Sequence, residues 1–459
     1  MVEVLKSDLN DEKRIDAQYF QKKYLYEDSC RKHFRSVALG TQAFITDGPH
    51  GYHEVDSLSP IAMLTAKCAK DWFADRSGAD AISMKTHQSS LRSSLQVDDL
   101  ILSTRGTVGA CAIVELDILP VNIDQDVARI SLGPTQQFLP KFLLAYLNSR
   151  FGQDWIERNS TGMVQQGLSL AKVRELPVPL LSLSLQAGIA EAISQASENR
   201  RVATASLASA EISLLRTLGL ENWKTSEPLS YVRHSSEAFA AGRLDAEYFR
   251  PRVLALMDLL GRDGLTVDDV APARHEIFKP REAGATFDYI EIGDMRNDGT
   301  VGATELATTD APSRATQHVR AGDVLTSTVR PIRRLSAVVG PTQDGAVCSS
   351  GFVVLNPIKV SPSTLVTYLR LPGICELMDL HTSASLYPAI SERDLLRLPI
   401  PHISEAAQQA IDTQVGAAHS AKQRATQLLE AAKRAVEIAI EASEAAALAY
   451  VHEVVSTVH

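Results

Sequence analysis

The sequence predicts an α+β protein: two tandem mixed α/β domains, each followed by a long helix, with the two helices forming an antiparallel coiled coil. Three observations support this fold class: a repeated helical seam, a repeated opening heptapeptide, and bodies of short strand-like runs separated by Gly, Pro and Asp. A chain of 459 residues is also too long for one ordinary hydrophobic core and suits two domains.

A heptad pattern of apolar and small residues occurs twice, with steps that alternate between four and three. The first copy of the seam comprises Ile189, Ile193, Ala196, Arg200, Ala203, Leu207, Ala210, Leu214 and Leu218. The second copy, shifted by one constant offset at every position, comprises Ile411, Val415, Ala418, Lys422, Ala425, Leu429, Ala432, Val436 and Ile440. The match predicts a duplicated unit whose two Ala-rich helices pack on each other. The basic residue in each seam could set the register, extend out of the interface or meet an acidic partner, and the sequence does not decide among these.

The opening of each unit is duplicated as well. Arg14-Ile15-Asp16-Ala17-Gln18-Tyr19-Phe20 recurs in the second half of the chain as Arg243-Leu244-Asp245-Ala246-Glu247-Tyr248-Phe249. Inside each body, a helix is predicted to begin at Pro140 or at Pro362. If the ends of the second body lie close together, the first seam helix ends near the start of the second, so the two helices run antiparallel.

Capping residues set the expected helix ends. Ser182 and Ser404 are the predicted N-caps, and Gly219 is the predicted C-terminal stop of the first helix. Because no Gly or Pro follows Gly416, the second helix is predicted to continue toward Val455. The predicted segments are a helical lead-in over 1–28, a first domain over 29–181, a central helix over 182–220, a connector with lead-in helix over 221–260, a second domain over 261–403 and a C-terminal helix over 404–459.

Composition excludes several classes of protein. The net charge of −9 is unlike that of a general nucleic-acid coat protein, so any DNA binding must come from local basic surfaces or rely on a partner. Five scattered cysteines without a CxxC pair argue against zinc and against a disulfide framework, and indicate a reducing compartment. No apolar run reaches membrane-spanning length and no signal peptide is recognisable, so a cytoplasmic protein that does not enter a membrane is expected.

Several motifs, in this order and in duplicate, resemble those of the specificity (S) subunit of type I restriction–modification systems. The resemblance covers nearly the whole chain. It is carried by Ile45-Thr46-Asp47-Gly48-Pro49-His50-Gly51, Phe287-Asp288-Tyr289-Ile290-Glu291-Ile292-Gly293-Asp294, Ser103-Thr104-Arg105-Gly106, Gly162-Met163-Val164-Gln165-Gln166-Gly167-Leu168-Ser169, and Leu176-Pro177-Val178-Pro179-Leu180 with its second copy before Gln408 and Ile411. The second body lacks a clear counterpart of Asp47-Gly48-Pro49-His50, as expected if the two bodies recognise different half-sites.

The resemblance implies a non-catalytic DNA-recognition subunit with a role in phage defence. Its two bodies would be target-recognition domains, each contacting one part of a bipartite, asymmetric site in double-stranded DNA, while the helices set the unread spacer. Methyltransferase (modification) subunits would dock on the helices and carry S-adenosylmethionine, so this chain would bind no cofactor itself; a restriction and translocation subunit is an optional further partner. Two alternatives remain: a coiled-coil assembly scaffold that does not bind DNA, and an enzyme with an unrecognised site at Asp47 and His50.

Recognition of bases calls for Arg or Lys at guanine and Asn or Gln at adenine, held at the base edges. Candidates in the first body are Lys67, Lys70, Lys85, Gln88, Arg92, Arg105, Gln165, Gln166, Lys172 and Arg174. Candidates in the second body are Lys279, Arg281, Arg296, Arg314, Arg330, Arg333, Arg334 and Arg393. Three cations in one short loop, Arg330, Arg333 and Arg334, repel one another without an anionic partner, so this cluster is predicted to contact phosphates.

Motifs that would carry catalysis are weak or missing. Asp47 to His50 is predicted to be a tight turn, and Gly106 to Gly109 a hairpin turn, since the latter lacks the lysine and the spacing of a phosphate loop. His50 and His53 are too isolated to indicate a metal site. The sequence contains no HExxH, no nucleophile elbow, no dinucleotide fingerprint and no Asn-Pro-Pro-aromatic motif of amino-methyltransferases. The sequence therefore predicts no catalytic residues and no metal site.

Overall fold

The computed structural model describes residues 19–51, 53–133, 137–162, 167–225, 227–280, 284–383 and 388–458. They form two compact units: the first takes in the chain up to Arg200 together with the chain from Lys422 onward, and the second is Arg201–Ala421. The boundaries pass through both seam helices, so each helix contributes one half to each unit.

The first unit is a mixed body of short strands and helices. Its strands are β1 Ser36–Ala38, β2 Ala43–Asp47, β3 Ala62–Leu64, β4 Asp80–Ala81, β5 Leu100–Ser103, β6 Cys111–Ile113, β7 Val121–Ile123, β8 Val127–Leu132 and β9 Pro177–Pro179. Its short helices are α1 Lys22–Arg31, α2 Met84–Ser89, α3 Pro140–Asn148, α4 Arg150–Asn159 and α5 Leu170–Glu175. An antiparallel sheet has the order β2-β8-β5-β6, a second sheet has the order β4-β3-β7 with β3 and β7 parallel, and β1 pairs with β9.

The first long helix, α6, is Leu183–Leu218, and the body of the second unit follows it. The short helices of that body are α7 Ser235–Ala241, α8 Pro251–Leu260, α9 Val267–Val270, α10 Pro362–Leu369, α11 Pro372–Leu380 and α12 Glu392–Leu396. Its strands are β10 Thr286–Ile290, β11 Thr304–Ala307, β12 Ala315–His318, β13 Val324–Ser327, β14 Ser336–Val338, β15 Val347–Ser349, β16 Phe352–Leu355, β17 Thr382–Ser383 and β18 Ala389–Ile390. They form sheets of order β11-β10-β15-β12 and β14-β13-β16, and the pair β17-β18. The chain ends in α13 Glu405–Glu441 and α14 Glu444–Thr457.

The seam helices α6 and α13 pack antiparallel, as the sequence predicts. In the first unit, Arg424 Nε of α13 donates to Asn199 Oδ1 of α6 at 3.1 Å. In the second unit, Gln414 Nε2 donates to Ser213 Oγ at 3.2 Å. The residue numbers of the contacting pairs thus fall along α13 as they rise along α6, as in an antiparallel pair of helices. Each helix begins at its expected cap, since Ser182 Oγ accepts from Leu185 N and Ser404 Oγ accepts from Ala407 N.

Most seam positions are buried, but the two basic ones leave the interface. The guanidinium of Arg200 stacks 4.3 Å from the centroid of the Phe73 ring. On α13 the next buried position after Ala418 is Ala421, three residues later and fully buried. Lys422, one residue further along, is therefore exposed. The same shift of one position leaves Leu429 only partly buried while Leu428 is fully buried. The exposure of Lys422 and the stacking of Arg200 on Phe73 are compatible with extension out of the interface, one of the three roles left open.

The second seam helix does not run unbroken toward Val455, so that prediction is wrong. The helix stops at Glu441, and Ser443 Oγ caps a new helix, α14, by accepting from Ala446 N. Glu444 Oε2 accepts from Ser182 N at 2.8 Å, which ties the start of α14 to the start of α6. Within the described residues, every helix is too short or too polar to cross a lipid bilayer.

Identical hydrogen bonds join each body to its seam helix. Gln186 Oε1 accepts from Leu139 N, and its Nε2 donates to Leu181 O. Gln408, the equivalent residue of the second copy, accepts from Ser361 N and donates to Ile403 O in the same way.

A tyrosine hydroxyl from each proline-led helix makes a second repeated bond. Tyr146 donates to Pro177 O and Tyr368 donates to Pro399 O, each at 2.5 Å. Because both tyrosines are fully buried, their hydroxyls need these partners, and the duplication has kept them.

Candidate nucleic-acid interface

The turn that follows the central strand is built alike in both bodies. After β5, Ser103 Oγ donates to Arg105 O at 2.7 Å; after β13, Ser327 Oγ donates to Val329 O at 3.2 Å. The next residue, Thr104 or its counterpart Thr328, donates from its hydroxyl to a backbone carbonyl of a neighbouring loop at 3.0 Å. These bonds hold both turns rigidly at the end of the strand.

Residues in the left-handed region bound both turns, but their identities differ. In the first body they are Gly106, with φ +73°, and Gly109, with φ +92°. In the second body they are Arg330, with φ +51°, and Arg334, with φ +60°. Glycine adopts this conformation without a steric cost, whereas an arginine is strained there by roughly 1–2 kcal/mol. The predicted hairpin turn at Gly106 is present, and its counterpart in the second body has arginines at both left-handed positions.

In the first body, charged side chains of both signs line one edge near this turn. Arg105 Nη1 lies 3.2 Å from Asp126 Oδ1, and Arg92 Nη2 lies 3.4 Å from Asp47 Oδ1. His50 Nε2 is 3.3 Å from the other oxygen of Asp47. The guanidiniums of Arg92 and Arg105 are at least half exposed, so the carboxylates orient them without removing them from solvent.

The backbone brings these charges together by a close approach. Gly48 N donates to Asp124 O, and a Cβ at Gly48 would lie 1.8 Å from Ile123 O, so only glycine fits this position. The carboxylate of Asp124 accepts from Asp126 N, and burial raises its pKa. The expected turn at Asp47 is therefore a contact between two loops, and its Asp faces His50 and Arg92.

Other candidates of the first body divide into exposed and structural groups. Exposed side chains on turns or on α2 are Lys67, Lys70, Lys85 and Gln88. Lys172 pairs with Glu175 at 2.9 Å, and Arg174 Nη2 donates to Ile45 O at 2.7 Å, which fastens α5 to β2. Gln165 and Gln166 lie outside the described residues. The structure thus gives Arg174 a structural partner and leaves the turn residues facing solvent.

The predicted three-arginine cluster is only partly available to phosphates. Arg334 Nη2 forms an ion pair of 2.6 Å with Glu211 Oε2 of α6, an anionic partner within the protein that was not predicted from the sequence. Phosphate contact by the cluster stays a prediction, and Arg334 has this carboxylate beside it. Arg333 is exposed, whereas Arg330 is half-buried at the base of the turn.

A cavity of about 410 Å³ lies beside this turn, lined by Leu207, Glu211, Arg333, Arg334, Arg370 and Val415. Burial, and then the charge of Arg334, hold the pKa of Arg370 below its usual range. Arg370 also donates to the carbonyls of Asn297 and Ser336, so the cavity wall is held by backbone acceptors.

The remaining candidates of the second body are scattered. Exposed side chains are Lys279, Arg296, Arg314 and Arg393. Arg281 lies outside the described residues. These four exposed residues lie on separate loops or on α12.

Each body contains an ion pair between an arginine and a buried aspartate that was not predicted from the sequence. Arg129 Nε lies 2.8 Å from buried Asp99, and Arg274 Nε lies 2.9 Å from buried Asp323. The two aspartates occupy equivalent places, each just before the central strand of its body, and each accepts a backbone N–H from three residues earlier. The repeat of Asp before the strand was a signal that could have identified them.

The geometry of the two turns supports binding. In the part of the chain that the structure describes, no group of three or more His, Cys, Asp or Glu side chains could hold a metal ion. His50 is mostly exposed and contacts Asp47, without a nucleophile among its contacts. What the turns offer are oriented, solvent-facing cations, which suit anionic phosphates and guanine edges.

The chain was compared with protein families, with curated proteins and with solved structures. No family model matches it. Over 105 residues it is 33% identical to the type I restriction enzyme EcoBI specificity subunit of Escherichia coli, a match that covers 23% of this chain and 22% of that protein. The chain thus spans less than a quarter of its curated relative in this match. Within those residues, the resemblance to type I specificity subunits is confirmed.

Solved structures of the same kind align over most of the chain. The S subunit of a type I restriction–modification system from M. genitalium aligns with a TM-score of 0.39 and 11% identity, over 91% of this chain and 96% of that one. The HsdS subunit of Thermoanaerobacter tengcongensis aligns with a TM-score of 0.27 and 15% identity, over 93% and 96%.

Proposed function

We propose that this chain is the DNA-recognition (specificity) subunit of a type I restriction–modification complex. Each body recognises one part of a bipartite, asymmetric target, and the two seam helices set the unread spacer. The observation that carries this proposal is the duplicated unit of body and helix, in which the Gln186 and Gln408 bonds recur at equivalent positions. Two similar bodies on antiparallel helices suit a target with two separate parts, because each body presents its own turn.

Charge supports DNA binding through local surfaces and not through the chain as a whole. At a net charge of −9 the protein repels DNA at long range, so the exposed cations of the turns have to supply the contacts. In the first body, Arg92 and Arg105 are held by carboxylates yet at least half exposed, which orients them and reduces the ordering cost of binding. We infer that partner subunits provide much of the remaining phosphate contact.

The chemistry of modification belongs, in this proposal, to other subunits. Methyltransferase subunits that bind S-adenosylmethionine dock on the seam helices, and a restriction and translocation subunit is an optional further partner. We assign no catalytic step to this chain. Its contribution is to place the methyltransferase at the target adenines by binding energy alone.

The first test is the map of modified adenines in the source genome, with the gene intact and deleted. We expect a motif with two defined parts and an unread spacer, which disappears on deletion. An unchanged map in a strain whose adenines are modified would overturn the proposal.

A second test uses the purified complex of this chain with its methyltransferase. Arg105→Gln should weaken binding of target DNA and lower the slope of log affinity against log salt by about one. Lys32→Gln, an exposed cation on the C-terminal side of α1, is the matched control and should leave both quantities unchanged. If both variants had the same affinity for target DNA and the same salt slope, Arg105 would not be part of the interface.

A further inference from the structure

The turn from Arg330 to Arg334, here called the arginine turn, follows β13 and packs against α11. Its first residue is held by the bond from Arg330 N to Pro388 O at 2.9 Å. Arg333 N and Arg334 N close the turn on the carbonyls of Arg330 and Pro331. Pro331 is buried, and the Arg334–Glu211 ion pair holds the far end. A residue at the tip therefore has a fixed position.

The arginine turn holds two arginines in a backbone conformation that costs a non-glycine residue energy. The corresponding turn of the first body has glycines at both left-handed positions, Gly106 and Gly109, and makes the same type of connection without strain. The second body keeps arginines at these positions, although glycine would relieve the conformation. Residues in strained conformations persist where the surroundings or the function require them.

The tip itself is apolar. Ile332 has 57% of its surface exposed, and Arg333 beside it is exposed as well. In the first body the apolar residue of the turn, Val108, packs partly into the hydrophobic core. The second body thus projects an isoleucine into solvent from a rigid base and places a cation next to it.

We propose that Ile332 contacts the bases of one half-site, either at a thymine methyl group or as a wedge at a base step, while Arg333 binds the adjacent phosphate. This inference rests on the proposed function and names the residue that carries specificity there. Apolar side chains recognise the thymine methyl in the major groove and partly unstack base steps in the minor groove. An adjacent guanidinium supplies the attraction to the backbone that such a contact needs.

A protein partner suits this tip less well than DNA does. A stable protein interface covers about 800 Å² on each side, with charged residues depleted from its core. A single isoleucine flanked by arginines offers no such core, whereas one apolar side chain is enough to distinguish a base pair. A protein contact is an outcome that the experiment below separates.

The test compares Ile332→Ala with Ile358→Ala in the complex of this chain and its methyltransferase. Ile358 lies in the same unit and is 58% exposed, so it controls for loss of an exposed isoleucine. We expect Ile332→Ala to lower discrimination by about tenfold at one or two base pairs of a single half-site, with the other half-site unchanged. The control should keep the wild-type motif and affinity.

Each other outcome overturns the inference in a distinct way. An unchanged motif and affinity for Ile332→Ala would mean that the tip does not contact DNA. Equal loss on all sequences would mean contact with the backbone only, and loss of the methyltransferase from the purified complex would mean a protein contact. If the wild-type complex itself recognises no motif, the proposed function fails first.

Discussion

A buried glutamate on α1 should make the stability of the first unit fall as the pH rises from 4.5 to about 9. Glu27 is 3% exposed, and no described group hydrogen-bonds its Oε1. Burial, followed by the neighbouring carboxylate of Asp154, raises the pKa of Glu27 to about 9. Arg31 Nη2 lies 3.5 Å away, too far for a strong hydrogen bond, and does not offset the burial. The perturbation that tests this state is Glu27→Gln, which has the same shape and no charge.

The direction in which the free energy of unfolding changes with pH follows from proton linkage. The pKa of Glu27 is raised in the folded chain, so between its ordinary value of 4.5 and about 9 the folded state holds a proton that the unfolded state releases. The free energy of unfolding should therefore fall by up to about 1.4 kcal/mol for each pH unit in this window. The pKa of Asp154 is lowered instead, so its own contribution changes only in acid, below the window.

Denaturant unfolding at pH 6 and pH 8 measures the effect. Over these two units the wild type should lose up to about 2.7 kcal/mol that Glu27→Gln retains, because the amide does not titrate. Glu157→Gln is the control: Glu157 pairs with Lys23 on the same helix contact but is half exposed, so its variant should keep the wild-type slope. Parallel slopes for wild type and Glu27→Gln would refute the conclusion that Glu27 is protonated in the folded chain.

Three further substitutions test packing and backbone fit. Ile193→Ala, at a fully buried seam position, should lower the free energy of unfolding by about 2–5 kcal/mol. The control Val202→Ala, at an exposed position, should change it by less than about 0.5 kcal/mol. Similar losses for the two variants would mean that the seam is not packed. Gly48→Ala should destabilise the first unit, because its Cβ would overlap Ile123 O, and an unchanged midpoint in denaturant would contradict the close approach. Gly416→Ala, on an open face of α13, should raise the free energy of unfolding by up to about 1 kcal/mol. A lower free energy of unfolding would mean that the added methyl group meets a neighbouring group.

The repeats explain why the fold could be predicted from the sequence. Two copies of one seam at a fixed offset indicate duplication, and the same offset recovers the helices that begin at Pro140 and Pro362. The break after Glu441 could not be predicted, because neither Gly nor Pro marks it. Ser443 ends one helix by capping the next, and a lone serine in an Ala-rich stretch is a weak signal.

The candidate site was less predictable, because residue type does not reveal the partner of a side chain. Arg334 and Arg333 are adjacent and equally basic, yet only Arg334 meets Glu211, a residue far away in the sequence. Arg174, a candidate DNA contact, donates to a strand carbonyl, a partner that its residue type does not reveal. Such long-range partners are brought together by the tertiary fold, which periodicity does not encode.

The pattern of what the two bodies share and where they differ indicates how the duplicated unit diverged. The shared bonds, from Gln186 and Gln408 and from Tyr146 and Tyr368, all lie where a body meets its seam helix or the segment leading into it. The turn after the central strand differs between the bodies, since paired glycines in one stand opposite paired arginines in the other. A buried bond lost from the helix junction would leave unsatisfied polar groups and cost about 1–3 kcal/mol, whereas a surface turn can change with little effect on stability. Under the proposed function, the same fold could therefore carry two different recognition surfaces, because the groups that position each body are separate from the residues of the turn.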